Sequence, residues 1–293
     1  MDTIGVVGLG QMGGRMALCL KRAGFAVVGT DASPAAMAAL EGRIALVATP
    51  TDLARQTGTI VLSLPTAQIV EAVVTGEHGL ASALQPGALI IDTSTSHPET
   101  TRRLDTLLRG RGAAFIDAPV SGGPKRAATG ELTMVLGGTE ADIARAKPVL
   151  DALSTRQVHV GASGAGHMAK IVNNLMCAAH LLVAGEAFKL AEAAGLDPER
   201  LLAAINGGSG RSGVTEVNFP NWVMNGAFDS GFTMQLMRKD VRLALQMAEE
   251  TGLDLPLTQG IGALWAASGE SIPDAEDFNR IADFRGQKTG SAQ

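Results

Sequence analysis

Ile4-Gly5-Val6-Val7-Gly8-Leu9-Gly10-Gln11-Met12-Gly13 is the stretch from which the rest of the chain can be read. A short run of strand character leads straight into a G-x-G-x-x-G pattern. Apolar positions at helical spacing then follow through Met16, Ala17 and Leu20. The glycine pattern alone is weak, but its place between a strand and a helix points to a dinucleotide. Gly8 would permit the tight turn, Gly10 would let the backbone approach a pyrophosphate, and Gly13 would let helix and strand pack closely. Leu9, Gln11 and Met12 complete the candidate loop. The helix start beyond it would offer unpaired N–H groups and a partial positive charge to the anion.

Working outward, short apolar runs at 3–7, 26–29, 59–64, 88–91 and 113–116 alternate with stretches of helical spacing. The runs are continuous rather than alternately polar and apolar, as in strands buried on both faces of a parallel sheet. Such an alternation predicts a doubly wound α/β sheet of the Rossmann type with right-handed crossovers. Asp31 ends the second run, 18 residues beyond Gly13, where a carboxylate accepts both ribose hydroxyls and repels a 2′-phosphate. No Arg or Lys lies between Asp31 and Glu41, so the expected cofactor is NAD rather than NADP. A tight turn closed by a helix-capping aspartate would explain the same residues without a ligand.

Near Gly161 the pattern changes. Residues 168–194 form one Ala-rich apolar stretch, charged only at Lys170, Glu186, Lys189 and Glu192, with no Pro. At 1.5 Å per residue, ~25 residues make a helix of about 38 Å, long enough to span a domain. Only helical patterns follow, at 198–206, 219–225, 233–251 and 257–268. The expectation is therefore a cofactor domain over 1–163 and an all-helical domain over 164–293, joined by a long interdomain helix. The Gly/Ser/Gln-rich tail from Gln287 is expected to fray.

Composition narrows the class. The 293 residues suit about two domains. With 46% hydrophobic and 18% charged residues there is material for a core and no sign of disorder. A net charge of −5 with no basic cluster argues against a nucleic-acid surface. Cys19 and Cys177 cannot build a disulfide framework and fit a reducing compartment. Met1-Asp2-Thr3 lacks the basic start of a secretory leader, and no uninterrupted apolar run reaches ~18 residues, so neither export nor a membrane span is expected. A cytoplasmic protein is the expectation. Thirty-six glycines, no tyrosine and 3% aromatics suit tight helix-on-sheet packing by small side chains.

Metal and hydrolytic chemistry find little support. The five histidines, His78, His97, His159, His167 and His180, show no paired ligand spacing, and no G-x-S-x-G elbow occurs. Two other segments stand out. Asp117-Ala118-Pro119-Val120-Ser121-Gly122-Gly123-Pro124 directly follows an expected strand, where ligands bind in open α/β sheets. Its Ser-Gly-Gly N–H groups could form an anion nest, or merely a sharp turn before the apolar run at 131–136. The second segment runs from Gly161 to Asn174. Lys170 and Asn174, four apart, share one helical face. Burial disfavours an ammonium ion, which makes such a lysine a usable general acid/base. A lysine snorkelling at a helix edge is the plainer reading.

Taken together, residues 8–13, Leu64-Pro65-Thr66, Asp92-Thr93-Ser94-Thr95, the Asp117–Gly123 segment, Gly164-Ala165-Gly166 with Lys170 and Asn174, and Lys239-Asp240 resemble the β-hydroxyacid dehydrogenase family over most of the chain. The resemblance implies a Rossmann domain, a helical C-terminal domain that also builds a dimer, and NAD(P)-dependent interconversion of a short 3-hydroxy acid with its aldehyde or ketone. Carried over, it makes Lys170 the catalytic acid/base and sets Ser121, Gly122, Gly123 and Asn174 on the substrate. It puts Leu64, Pro65, Thr95 and Lys239 on the cofactor, with Asp31 at its ribose. The implied partners are a small anionic hydroxy acid and further copies of the chain, as a dimer or tetramer, with no metal. Lys125-Arg126 stands where many relatives carry small residues, and Arg211 lies in another glycine-rich loop. Both leave 3-hydroxyisobutyrate, tartronate semialdehyde, threonate and sulfonate-bearing acids open as substrates. A non-catalytic dinucleotide-binding scaffold and an imine reductase on the same fold are the alternatives. Lys170 speaks against both.

Overall fold

The computed structural model describes residues 2–284, so the tail from Gln287 lies outside the described residues. The chain divides into two compact units, residues 1–170 and 171–293. The division falls inside the long helix.

In the first unit, strands β1 (Thr3–Val7), β2 (Ala26–Thr30), β3 (Ala45–Leu46), β4 (Thr59–Leu62), β5 (Leu89–Asp92) and β6 (Ala114–Asp117) pair in parallel in the order β3-β2-β1-β4-β5-β6. Both faces are buried, which explains the continuous apolar runs. Ile4, Val6 and Val61 point into one core with Met16, Leu20, Leu150 and Leu153. Val7, Ile60 and Leu62 point into the other with Leu53, Val70, Val74, Leu104 and Leu108. The helices covering these faces are α1 (Gly13–Arg22), α2 (Pro34–Ala38), α3 (Pro50–Ala54), α4 (Ala67–Thr75), α5 (Pro98–Arg109), α6 (Gly123–Thr129) and α7 (Glu140–Leu153). Ser33, Thr49, Thr66 and Thr139 cap four of their N-termini by accepting a backbone N–H.

The sheet is larger and more mixed than a purely parallel one. Strands β7 (Val120–Ser121), β8 (Leu132–Gly137) and β9 (Ser154–Gly161) extend it, with β8 antiparallel to β6 and β7 and parallel to β9. The sequence pattern finds β8 but not β3, β7 or β9. The first two span only two residues each. The third, Ser-Thr-Arg-Gln-Val-His-Val-Gly, is a mostly exposed strand whose polar residues hide it from a search for apolar runs.

Helix α8 (Ala165–Ala193) starts three residues before the apolar stretch does. By length and composition alone it could cross a membrane, although Lys170 and Glu186 keep any charge-free stretch of it below 18 residues. Yet its Ala178, Leu181 and Ala184 belong to the second unit's core, beside Phe219, Met234, Met237, Trp265, Phe278 and Ile281. The other long elements among that unit's described residues are helical: α9 (Pro198–Gly207), a π-helical segment (Val214–Val223), α10 (Met234–Glu250) and α11 (Pro256–Ala267). The π segment replaces the α-helix expected over 219–225. Pro220 has no N–H and crowds the carbonyl four residues back, and the wider winding carries Met224 N–H to Phe219 O at 2.9 Å.

Candidate active site

The glycine loop leaves the carboxyl end of β1 and runs into α1. Gly8 sits at φ +90°, a conformation other residues avoid, and donates its N–H to Thr30 O at 3.0 Å. A Cβ on Gly13 would lie 1.8 Å from Gly8 O, so loop and helix pack too closely for any side chain there. A Cβ on Gly10 would meet nothing within 4 Å. The first and third glycines thus serve the protein itself, whereas the second keeps space clear. No side chain caps α1 at Met12 and no acidic residue occupies its first turn, so the positive end of the helix faces outward. Gln11 pairs with Arg15 beside it, through Oε1 at 2.5 Å.

Asp31, at the end of β2, closes over this loop. Its Oδ2 accepts the Leu9 N–H at 2.6 Å and its Oδ1 accepts the Ser33 N–H at 2.7 Å. Leu64 and Pro65 follow β4, and Thr95 follows β5. Ser94 joins these two loops by accepting the Leu64 N–H on its Oγ at 3.0 Å. The cofactor candidates of the first unit therefore line the carboxyl ends of the adjacent strands β2, β1, β4 and β5, on both sides of the point where strand order reverses. An open α/β sheet binds its ligand at that edge. The clear space at Gly10 and the uncapped helix start fit a dinucleotide's pyrophosphate. Among the described residues, no group of three or more His, Cys, Asp or Glu side chains could hold a metal ion.

Beyond β6 the chain turns through β7 into Gly122 and Gly123, at φ +128° and +68°. The Arg126 stem packs against Gly122, so a Cβ there would meet its Cδ at 2.8 Å. Lys170 reaches the same loop: its Nζ donates to Ser121 Oγ at 2.9 Å, and the residue is only 8% exposed. A surface-snorkelling lysine would stand largely in water, whereas this residue is buried and hydrogen-bonded to the loop. In the second unit Asn174, one turn further along α8, donates its Nδ2 to Asp240 Oδ2 at 2.5 Å and is 5% exposed. Lys239 lies 3.1 Å from the other oxygen of Asp240. One buried carboxylate thus orients two of the expected site residues.

Four residues beneath these were not singled out from the sequence, although all stand in the quoted segments: Asp92, Asp117, His167 and Asp240. The first three form a buried network. His167 contacts Thr101 Oγ1 through Nδ1 at 2.7 Å and donates Nε2 to Ser94 O at 3.1 Å, with Asp92 Oδ2 at 3.8 Å. Burial pushes the Asp92 carboxyl up from its ordinary value, opposed by the charge on His167 and by hydrogen bonds from Ser94. Their signal was acidic residues closing strands and a histidine inside a glycine-rich helix start.

Residues 3–161 match the family model described as the NAD binding domain of 6-phosphogluconate dehydrogenase. Residues 164–284 match the model described as the NAD-binding domain of NADP-dependent 3-hydroxyisobutyrate dehydrogenase. The chain is 35% identical over 288 residues to a 2-(hydroxymethyl)glutarate dehydrogenase of Eubacterium barkeri, covering 98% of this chain and 96% of that one. The solved Mycobacterium tuberculosis 3-hydroxyisobutyrate dehydrogenase with L-serine is 32% identical, with a TM-score of 0.90 over 97% of this chain and 98% of that one. An imine reductase from Pseudomonas sp., 16% identical with a TM-score of 0.62 over 97% of this chain and 99% of that one, shares the fold.

Proposed function

The chain belongs to the β-hydroxyacid dehydrogenase family, and on that footing we propose that it interconverts a short-chain 3-hydroxy acid with its aldehyde or ketone, using Lys170 as acid/base and NAD in preference to NADP. It is a nicotinamide-dependent hydroxyacid dehydrogenase, and what the proposal adds is the substrate class, the site residues and the cofactor choice. The observation that carries it is the buried residue Lys170, whose Nζ lies 2.9 Å from the Oγ of Ser121 on the loop that follows β6.

The bound dinucleotide supplies the hydride acceptor or donor. Residues 8–13 would receive its pyrophosphate, Asp31 its ribose, and Leu64, Pro65, Thr95 and Lys239 would complete its contacts. Ser121 accepts a hydrogen bond from Lys170, which leaves the serine O–H itself to donate to a substrate oxygen. The N–H groups of the next two residues, Gly122 and Gly123, would receive a carboxylate. Lys170 takes the proton of the substrate hydroxyl during oxidation and returns it during reduction. Asn174, its amide oriented by Asp240, would hold the same oxygen in line. The Eubacterium relative's named substrate, like 3-hydroxyisobutyrate, bears its hydroxyl on the carbon β to a carboxylate, which supports the substrate class. A scaffold would have no use for a buried lysine held on a loop serine.

Residues 1–163 would then form the cofactor domain and residues 164–293 the substrate and assembly domain. Met168, Val172, Met176, Val183 and Leu190 lie exposed along α8, an apolar stripe suited to a second copy in a dimer or tetramer. Cys19 and Cys177, too few for a disulfide framework, fit a reducing, cytoplasmic setting. The test is Lys170→Ala. It should lower kcat by about 10²–10⁴-fold while NADH binding stays near wild type. A folded variant that keeps more than about a tenth of wild-type kcat would remove Lys170 from the chemistry.

A further inference from the structure

Helix α8 begins at Gly164-Ala165, and Gly164 has no side chain with which to cap it. An α-helix leaves its first N–H groups without intrahelical partners, and in water-exposed helices a capping side chain supplies the acceptor. Here the acceptor comes from a strand. Asp117, at the carboxyl end of β6, accepts the Gly164 N–H on Oδ1 at 2.8 Å and the His167 N–H on Oδ2 at 2.9 Å. These are the two N–H groups that a capping box satisfies with two separate side chains of the helix's own sequence. One carboxylate from elsewhere in the fold does the work of both, and it places a negative charge at the positive end of the helix.

The surroundings are shaped for this contact. Asp117 is fully buried. A Cβ on Gly137, its partner across the sheet, would lie 2.5 Å from both Asp117 oxygens. A Cβ on Gly166 would lie 2.9 Å from Oδ2 and 2.7 Å from Val135 O. Two glycines therefore clear the space that one carboxylate fills. Asp117 stands four residues before Ser121 and Gly166 four residues before Lys170, so the clamp ties together the two stretches of chain that meet at the Lys170–Ser121 contact.

We propose that Asp117 is a positioning residue: by capping α8 from β6 it sets Lys170 against Ser121 in the register that the reaction needs. This rests on Lys170 being the acid/base. A displacement of about 1 Å at a reacting group costs on the order of 10²-fold in rate, so a tie at this point governs turnover as well as folding. An asparagine at 117 would keep one acceptor but turn an N–H₂ toward the second backbone N–H, which breaks half of the clamp at nearly constant volume.

The experiment measures kcat, KM for 3-hydroxyisobutyrate, the Kd of NADH by fluorescence and thermal unfolding for Asp117→Asn, Gly166→Ala and Lys170→Ala. Gly166→Ala keeps the carboxylate and pushes the helix start away from β6, and it serves as the second reading should Asp117→Asn fold poorly. The expected result for both clamp variants, measured below their unfolding transitions, is a kcat lowered by about 10–100-fold with NADH Kd and KM within about twofold of wild type. A purely structural role would lower the unfolding temperature and leave kcat of the folded protein alone. If Lys170→Ala is inactive while either folded clamp variant turns over within about threefold of wild type, the clamp proposal is overturned and the lysine assignment stands. If Lys170→Ala itself stays active, the lysine assignment fails and the clamp proposal falls with it.

Discussion

The second and third glycines of the loop can be separated by experiment, because the structure gives them opposite duties. At Gly10 a methyl group meets no atom within 4 Å, and the backbone is not in the left-handed region. Gly10→Ala should therefore fold as well as the wild type. Replacing a glycine at a permissive position stabilises by about 0.4–1 kcal/mol through the unfolded chain, worth roughly 2–4 °C at most in a domain of this size. On the proposed function, the same methyl group would stand where the pyrophosphate approaches the backbone. Hydrogen bonds to a charged group contribute ~1.5–3 kcal/mol each, and every ~1.4 kcal/mol is tenfold in affinity. Lengthening even one such bond past use should weaken NADH binding by about 10–100-fold. Gly13→Ala is the converse. Its methyl would lie 1.8 Å from Gly8 O, a backbone atom that cannot swing aside. Overpacking of that kind costs ~1–3 kcal/mol or more, so the unfolding temperature should drop by several degrees before any ligand is added. Isothermal titration with NADH and thermal unfolding of the ligand-free proteins read the two effects independently. A stable Gly10→Ala protein that binds NADH as tightly as wild type would show that the pyrophosphate does not pass over this loop.

Asp31 should make NAD the better cofactor in kcat/KM by well over about tenfold, and Asp31→Ser should narrow that ratio while loosening the loop that it holds through Leu9 N–H; a wild-type preference for NADP would overturn the reading. Asp92 gives a pH test, because burial raises its folded-state pKa above the unfolded value of 3.8. The native state then holds this proton more tightly than the unfolded chain does, so its contribution to stability falls as pH rises from the unfolded value through the folded one, by ~1.36 kcal/mol for each unit between them. Asp92→Asn keeps an acceptor for the Ser94 N–H and removes the titration, so its unfolding temperature should gain on wild type as pH rises above about 4; a gap that is flat from acid to neutral pH would contradict this. Light scattering at micromolar concentration should give the mass of two or four chains, and a one-chain mass would leave the exposed stripe on α8 without its partner.

How much of this was legible in the sequence follows from the range of the interactions involved. Five of the six parallel strands, β1, β2, β4, β5 and β6, announced themselves because each is buried on both faces, a condition written into consecutive residues such as Ile60-Val61-Leu62. The edge strand β9 did not, since an edge needs only a backbone ladder and tolerates Arg156, Gln157 and His159. The glycine loop was legible for the same local reason: turn, open space and close packing all fall within six residues, with φ +90° at Gly8, no atom within 4 Å of a Cβ on Gly10 and Gly8 O 1.8 Å from one on Gly13. Lys170 and Ser121 could each be suspected alone, but no periodicity states that residues 49 apart lie 2.9 Å apart. The carboxylates escaped notice for a further reason. Asp117 and Asp240 act on backbone N–H groups and side chains 47 to 66 residues away, so their own neighbourhoods show where they stand but not what they hold. What did mark Asp117, in retrospect, was space: Gly137 and Gly166, distant in sequence, both lack the Cβ that its carboxylate would strike. In a chain this rich in glycine, asking which buried polar group fills the space beside each one would have led from the helix start back to the strand and found the clamp.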